Sequence, residues 1–273
     1  MLSHLQIKGF KAWNDTGRIA LAPLTVFFGT NSSGKSSLSQ ALLLLRQTSE
    51  SPDRKRVIHF GDRTTLVDLG TFEDISFGHD VDRALELDVG WRLPKRMVIQ
   101  DPRSGDEQSG DEIDFAVRIG QTQPKPGRLR VEELSYTLTD EDRLNLKVGM
   151  RRKESGNKYE LLMEGLQPVR SQGRPWQLPE PVRFYGFPDE AVAYYQNTGF
   201  LPDFTLAMER ILGSVSYLGP LRDRPNRTYI WSGEIPEHVG WAGERVVDAI
   251  LAAKERTISG GHRKKYQPWY FLR

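Results

Sequence analysis

The sequence predicts an α/β fold carrying an antiparallel, β-rich insertion. Two observations lead to it. An apolar run, a Gly-Ser-rich loop and a helix with an apolar stripe follow one another from Leu24 to Leu45, and short segments of alternating polarity fill residues 83–165. The length, 273 residues, allows a sizeable core in one large or two modest domains.

Taken in order, "LSHLQIKGF" reads as a first strand, "NDTG" as a turn, "RIALA" as a second strand and "LTVFFG" as a third. "SGKSSLSQALLLLRQ" follows as a helix, with Leu38, Ala41, Leu42 and Leu45 at helical spacing. The polar stretch "TSESPDRKR" is expected to be a surface loop, and Gly70 and Gly78 mark turns beyond it. From Arg83, segments such as "ALELDVGWRL", "EIDFAVRIG", "RLRVEELSYTLT", "RLNLKVGMRR" and "KYELLMEG" alternate apolar and polar residues between turn-rich breaks. A Pro-rich connection leads to the amphipathic helix "DFTLAMERILGS", to "SVSYLGPLR", read as a buried strand with a Gly-Pro turn, and to a final helix "AGERVVDAILAAKE". The expected organisation is residues 1–82 as the first part of an α/β lobe, 83–165 as the β-rich insertion, 166–181 as a connection, and 182–273 as a return to the lobe.

Composition narrows the function classes. Hydrophobic residues make up 38% and charged residues 27%, as in globular proteins, and the run "ALLLL" is far shorter than the ~20 residues a bilayer requires. The absence of cysteine excludes disulfides, thiolate catalysis and Cys-based zinc sites, and the N-terminus lacks the pattern of a secretory signal, so a cytoplasmic location without a membrane partner is expected. A net charge of +2 does not identify a nucleic-acid binder. The histidines His4, His59, His79, His238 and His262 are scattered and show no metal-ligand spacing.

"GTNSSGKS", Gly29 to Ser36, matches G-x-x-x-x-G-K-[ST] in full. Glycines let a backbone wrap a phosphate, while successive N–H groups and the helix N-terminus supply positive potential. Lys35 would neutralise the outer phosphates and Ser36 would hold Mg²⁺ through its hydroxyl, so ATP and Mg²⁺ are the expected ligands of a P-loop lobe. Gly29, Asn31, Ser32, Ser33, Gly34, Lys35, Ser36 and Ser37 are the candidate binding residues, and Lys35 is the candidate catalytic one.

"LQIKGFKAW", "LTVFFGTNSSGKSSLSQALLLL" and "VDLGTFEDISFGHD" together resemble the N-terminal part of ABC-type ATPase heads of the RecF and SMC group and of the overcoming-lysogenization-defect nucleases. The sequence is similar above all to bacterial AAA-family ATPases with a C-terminal domain of unknown function, and "SYLGPLRDRPNRTY" followed by "VGWAGE" looks like a further motif of that group. The resemblance implies an ATP-binding head that forms a homodimer around nucleotide, with partners in DNA repair, plasmid maintenance or phage defence. It also implies that Asn31 faces the leaving phosphates.

Hydrolysis in such heads needs an apolar strand ending in Asp-Glu and a signature segment from a second subunit. Neither is recognisable here. "YELLMEG" offers only Glu164, read as a solvent-facing strand residue, and "TISGGHRKK" departs from the signature after its glycines. The chain is therefore expected to be an N-terminal portion whose partner is a missing C-terminal half, or a regulatory subunit that binds nucleotide without turnover. A P-loop kinase for a small molecule is the other reading, lacking an evident arginine lid. Arg222 is a candidate phosphate sensor or turn residue, with Arg224 beside it; Asp68 approaches Mg²⁺ or caps a turn; His79 contacts nucleotide or is structural. The "HRKKY" cluster with Arg256 touches a nucleic-acid backbone or is a solvated loop.

Overall fold

The structure, a computed structural model, describes residues 1–259 apart from 124–125, 142, 155–157, 174–176 and 237. Its Cα trace forms two compact units, the first Met1–Leu212 and the second beginning at Gly213. The sequence boundaries at residues 82, 165 and 181 all fall inside the first unit.

That unit is built on one antiparallel sheet. Strand β1 (Leu2–Phe10) turns through Lys11 and Ala12 into β2 (Trp13–Asp15), and β3 (Ile19–Ala20) pairs with the other end of β1. Lys11 takes a left-handed φ of 49° to close this two-residue hairpin, and its N–H donates to the carbonyl of Ile75 at 2.7 Å. Strands β4 (Leu85–Gln100), β5 (Glu107–Gln121), β6 (Leu129–Asp140), β7 (Arg143–Arg152) and β8 (Tyr159–Glu164) then follow as a meander. The order is β2-β1-β4-β5-β6-β7-β8. The β-rich segment thus continues the sheet that β1 starts, because β4 pairs with β1 from Lys8↔Glu86 to Leu2↔Trp91.

The period-two pattern of the strands sorts their residues onto two faces. Inward rows run Ile7, Leu87, Val117, Leu134 and Met150, then Leu5, Val89, Phe115, Tyr136 and Val148, all buried. Helical elements in the same apolar cluster include α1 (Lys35–Glu50) through Leu38, Ala41, Leu44 and Leu45; α2 (Phe72–Ile75) through both end residues; and α4 (Leu201–Gly213) through Leu201, Phe204, Ala207, Met208 and Leu212. Between α2 and α4 lies the short α3 (Asp189–Ala193). Tyr136 stands at the centre, its ring 4.7 Å from Phe115 and 5.4 Å from Phe204, and its hydroxyl donates to the Tyr185 carbonyl at 2.7 Å. Burial of side chains of this size stabilises by roughly 1.5–3 kcal/mol each.

The outward face is polar. One row crosses six strands as Lys8, Glu86, Arg118, Glu133, Arg151 and Glu160, alternating in sign throughout. Its close ion pairs include Arg118–Glu86 at 2.7 Å and Arg151–Glu133 at 2.8 Å. The adjacent row carries Ala116, Ser135 and Gly149 on its central strands.

Two expected strands are not strands. Residues 25–30 have no ladder partner among the described residues, and Leu24 is 82% and Phe28 89% exposed. The run is apolar at consecutive positions, the composition of a strand covered on both faces, and this sheet is antiparallel and covered on one. The second case is "VSYLG" in the second unit, where no strand forms among the described residues, with Leu218 and Leu221 exposed. That unit is held by backbone bonds from Gly219 N–H to Trp241 O, 2.7 Å, and from Asp223 N–H to Ala242 O, 2.9 Å, and its described residues end in α5 (Val246–Ser259).

Candidate phosphate site

Helix α1 begins at Lys35 immediately after Gly34, whose φ of 85° and ψ of 7° are left-handed. No side chain caps this end, so the first N–H groups of α1 have no capping side chain of their own. Ser37 N–H bonds back to the Gly34 carbonyl at 3.0 Å and closes the first turn. Gly34 is also required sterically: a Cβ there would stand 2.8 Å from Trp13 Nε1 and 3.0 Å from the Ala12 Cβ. Trp13 explains the constraint, because its indole N–H donates to the Gly34 carbonyl at 3.0 Å. The β1–β2 hairpin is thereby tied to the phosphate loop.

The loop residues Gly29 to Ser33 and Ser36 are exposed, Gly34 and Lys35 partly so, and Ser37 is buried. Lys35 folds back over the loop: Nζ donates to the Gly29 carbonyl at 2.8 Å, to the Thr30 carbonyl at 2.6 Å and to Ser33 Oγ at 3.4 Å. An ammonium held by neutral carbonyls a few residues away can exchange them for phosphate oxygens without crossing a hydrophobic barrier. The eight candidate residues thus lie within the continuous segment Gly29–Ser37, accessible except at Ser37, at a helix N-terminus, the geometry that attracts anions.

The far end of α1 is clamped. Arg183, 11% exposed, donates to the Ser49 carbonyl at 2.7 Å, to the Ser51 carbonyl and to the Tyr185 hydroxyl at 2.7 Å. A cation at a helix C-terminus matches the macrodipole. Gln47 works from the same turn, donating to His59 O at 2.6 Å and accepting from Val67 N–H at 3.1 Å. Lys11 Nζ donates to Gln40 at 2.9 Å, and burial lowers its pKa against the opposing pull of Asp74. These residues, Trp13 and Arg183 above all, were not singled out by sequence reasoning, because their roles depend on partners 21 and 134 positions away.

Other sequence candidates have separate positions. Asp68 is exposed, beside the Leu69 N–H bond to the Phe60 carbonyl. His79 has a φ of 57°, and its Nδ1 lies 3.2 Å from the Glu73 carbonyl, a turn-closing role. Thr71 and Asp74 form a reciprocal capping box that holds the Asp74 carboxyl below the usual range. Glu164 ends β8, the edge strand opposite β1 and β2, five strand spacings or roughly 24 Å from β1. It stands apart from the loop that Trp13 anchors. Arg222 and Arg224 are exposed in the second unit. The "GGHRKK" segment and aromatic tail lie outside the described residues.

A family profile described as an AAA ATPase domain matches residues 1–155, which includes the loop, α1, the Trp13 hairpin and most of the sheet. The chain belongs to the AAA ATPase domain family. Among curated proteins none matches it. As an AAA-family ATPase head it is a nucleotide-binding protein, and domains of this family typically bind nucleotide with Mg²⁺. Among the described residues of this ATPase head, no helix is long and apolar enough to cross a membrane.

Proposed function

We propose that this chain is an ABC-type ATPase head that binds MgATP at Gly29–Ser37, with Lys35 on the outer phosphates and Ser36 on Mg²⁺. The observation that carries the reading is the Lys35 ammonium resting on the carbonyls of its own loop, at an α1 N-terminus without a capping side chain. ATP binding replaces those internal bonds with phosphate contacts. Hydrolysis, in this reading, draws on an Asp-Glu strand and a signature segment supplied by further polypeptide, and the head dimerises around nucleotide. Support comes from the exposed run Leu24–Phe28, which has the composition of a buried strand and no ladder among the described residues. The likeness to RecF, SMC and overcoming-lysogenization-defect heads supports a place in DNA repair or phage defence.

The test is ATP binding and turnover by the 273-residue chain beside Lys35→Ala. Mg²⁺-dependent binding that disappears in Lys35→Ala is the expected result, with little or no turnover. Equal affinity in the two proteins would refute the site. Robust turnover by the chain alone would refute the need for an outside carboxylate. A second reading, a regulatory subunit that binds ATP without hydrolysis, is favoured by the position of Glu164 on the far edge of the sheet. It is distinguished by adding a candidate partner polypeptide that carries an Asp-Glu strand: turnover that stays absent supports the regulatory role.

A further inference from the structure

The outward face of the sheet brings together residues that the sequence separates. His4 on β1, Asp88 on β4 and Asp114 on β5 meet around Gly90, which pairs with His4 on one side and Asp114 on the other. The nearest carboxylate oxygens lie 2.8 Å (Asp88 Oδ1) and 3.4 Å (Asp114 Oδ1) from His4 Nε2. One potential ligand atom from each of the three residues lies within 4.8 Å of the others. His4 is 3% exposed although it faces outward from the sheet. The absence of a side chain at Gly90 makes this possible, since a Cβ there would collide with the His4 ring.

We propose that His4, Asp88 and Asp114 bind a divalent metal ion of the zinc class, each giving one ligand, with a water in the fourth position. A tetrahedral ion with bonds of about 2.0–2.1 Å holds its ligand atoms about 3.3 Å apart, and the two observed distances bracket that value. A second observation is independent of the spacing. Asp114 Oδ1 is buried and has no hydrogen-bond partner, although it points into the cluster within ion-pair range of His4 and Arg18. A buried carboxylate oxygen without a hydrogen-bond donor keeps a lone pair for a metal ion, beyond the electrostatic attraction of His4 and Arg18. One imidazole with two carboxylates is a mixed donor set that suits zinc better than Mg²⁺, which prefers oxygen and water.

The rest of the surroundings determines how the ion enters. Arg18 Nη2 lies 3.0 Å from His4 Nδ1 and 3.5 Å from Asp114 Oδ1, and this side chain is 62% exposed. While it donates to Nδ1, the imidazole proton sits on Nε2 and is directed at Asp88. Metal binding at Nε2 requires that nitrogen to be free of a proton, so the ring N–H is then on Nδ1. Arg18 then swings away from Nδ1, and Ser3 Oγ, 3.4 Å from Nδ1, is the acceptor in reach for the relocated N–H. The same ion would staple β1, β4 and β5 at one point.

The test uses the full chain stripped with a chelator and titrated with Zn²⁺ alone, followed by calorimetry, with Co²⁺ as a visible-absorption probe of coordination. The expected result is uptake of about one equivalent, a four-coordinate Co²⁺ spectrum, and binding weakened about tenfold or more in Asp88→Asn and in Asp114→Asn. Both changes are near-isosteric, and far-UV circular dichroism confirms that each variant folds. Ser36→Ala, which removes the proposed Mg²⁺ contact at the phosphate loop, leaves Zn²⁺ uptake unchanged. No uptake by the parent chain, or uptake that survives either Asn substitution, overturns the three-ligand site.

Discussion

The contact between Trp13 and Gly34 links the sheet to the phosphate loop, and substitution of Gly34 by alanine measures it. Alanine at φ 85° costs about 1–2 kcal/mol from backbone conformation alone. Its Cβ would also stand 2.8 Å from Trp13 Nε1, well inside carbon–nitrogen contact, so the indole must shift and lose its 3.0 Å bond to the Gly34 carbonyl. That bond is worth about 0.5–1.5 kcal/mol. The sum is a loss of about 2–3 kcal/mol for Gly34→Ala. In a Trp13→Leu background the indole is already gone, and the same alanine should cost only the backbone share and the remaining 3.0 Å contact with the Ala12 Cβ. The two substitutions should therefore couple by about 1 kcal/mol, the double variant being more stable than the sum of the single losses predicts. Urea unfolding followed by far-UV circular dichroism gives all four stabilities. Additivity to within about 0.3–0.5 kcal/mol would show that the indole does not meet position 34, and the account of the loop anchor would fail.

Three further outcomes are expected. Arg183→Met removes the donors to Ser49, Ser51 and Tyr185 and should destabilise by about 2–4 kcal/mol in urea, with Arg183→Lys in between; a loss under about 1 kcal/mol would contradict the clamp. Tyr136→Phe leaves the Tyr185 carbonyl without its buried donor and should cost about 1–2 kcal/mol, checked by thermal unfolding. Burial, aided by the bond to Glu209, raises the Tyr185 hydroxyl to about 12. The unfolded chain loses that proton first, near the ordinary tyrosine value of 10.0, so the stabilisation is fully present below that pH and is lost as pH rises towards 12. Stability measured across this range should fall less steeply in Tyr185→Phe than in the parent; identical slopes would remove Tyr185 from the alkaline transition.

The phosphate loop was legible because each of its demands is local: glycines, a lysine and a helix start stand within eight residues. The meander was legible for the same reason, since alternation and turn residues repeat between neighbours. What the sequence could not disclose was the company each piece keeps. "LTVFFG" has the apolarity of a central strand, but pairing depends on other segments, and among the described residues none pairs with it. Trp13 reads as an ordinary aromatic until the hairpin brings it against Gly34. Likewise the histidines have no metal-ligand spacing along the chain, and only the register of β1, β4 and β5 places His4 between two aspartates. Arg183 gave no local signal, since its partners are the last carbonyls of a helix in a remote part of the sequence.

The alternating row Lys8, Glu86, Arg118, Glu133, Arg151, Glu160 has a consequence for how the sheet finds its alignment. A slip of one residue turns the apolar side to water and is rejected by the core, but a slip of two preserves the faces. In β4 and β5 such a slip in one direction sets Asp88 against Asp114 and leaves Glu86 facing Ala116; in the other it sets Glu86 against Gly120 and Asp88 against Arg118. Only the native alignment places Arg118 opposite Glu86. Individually these surface pairs stabilise little. Together they act as alignment marks in one direction: they penalise the slip that brings Asp88 against Asp114, which the hydrophobic pattern alone tolerates.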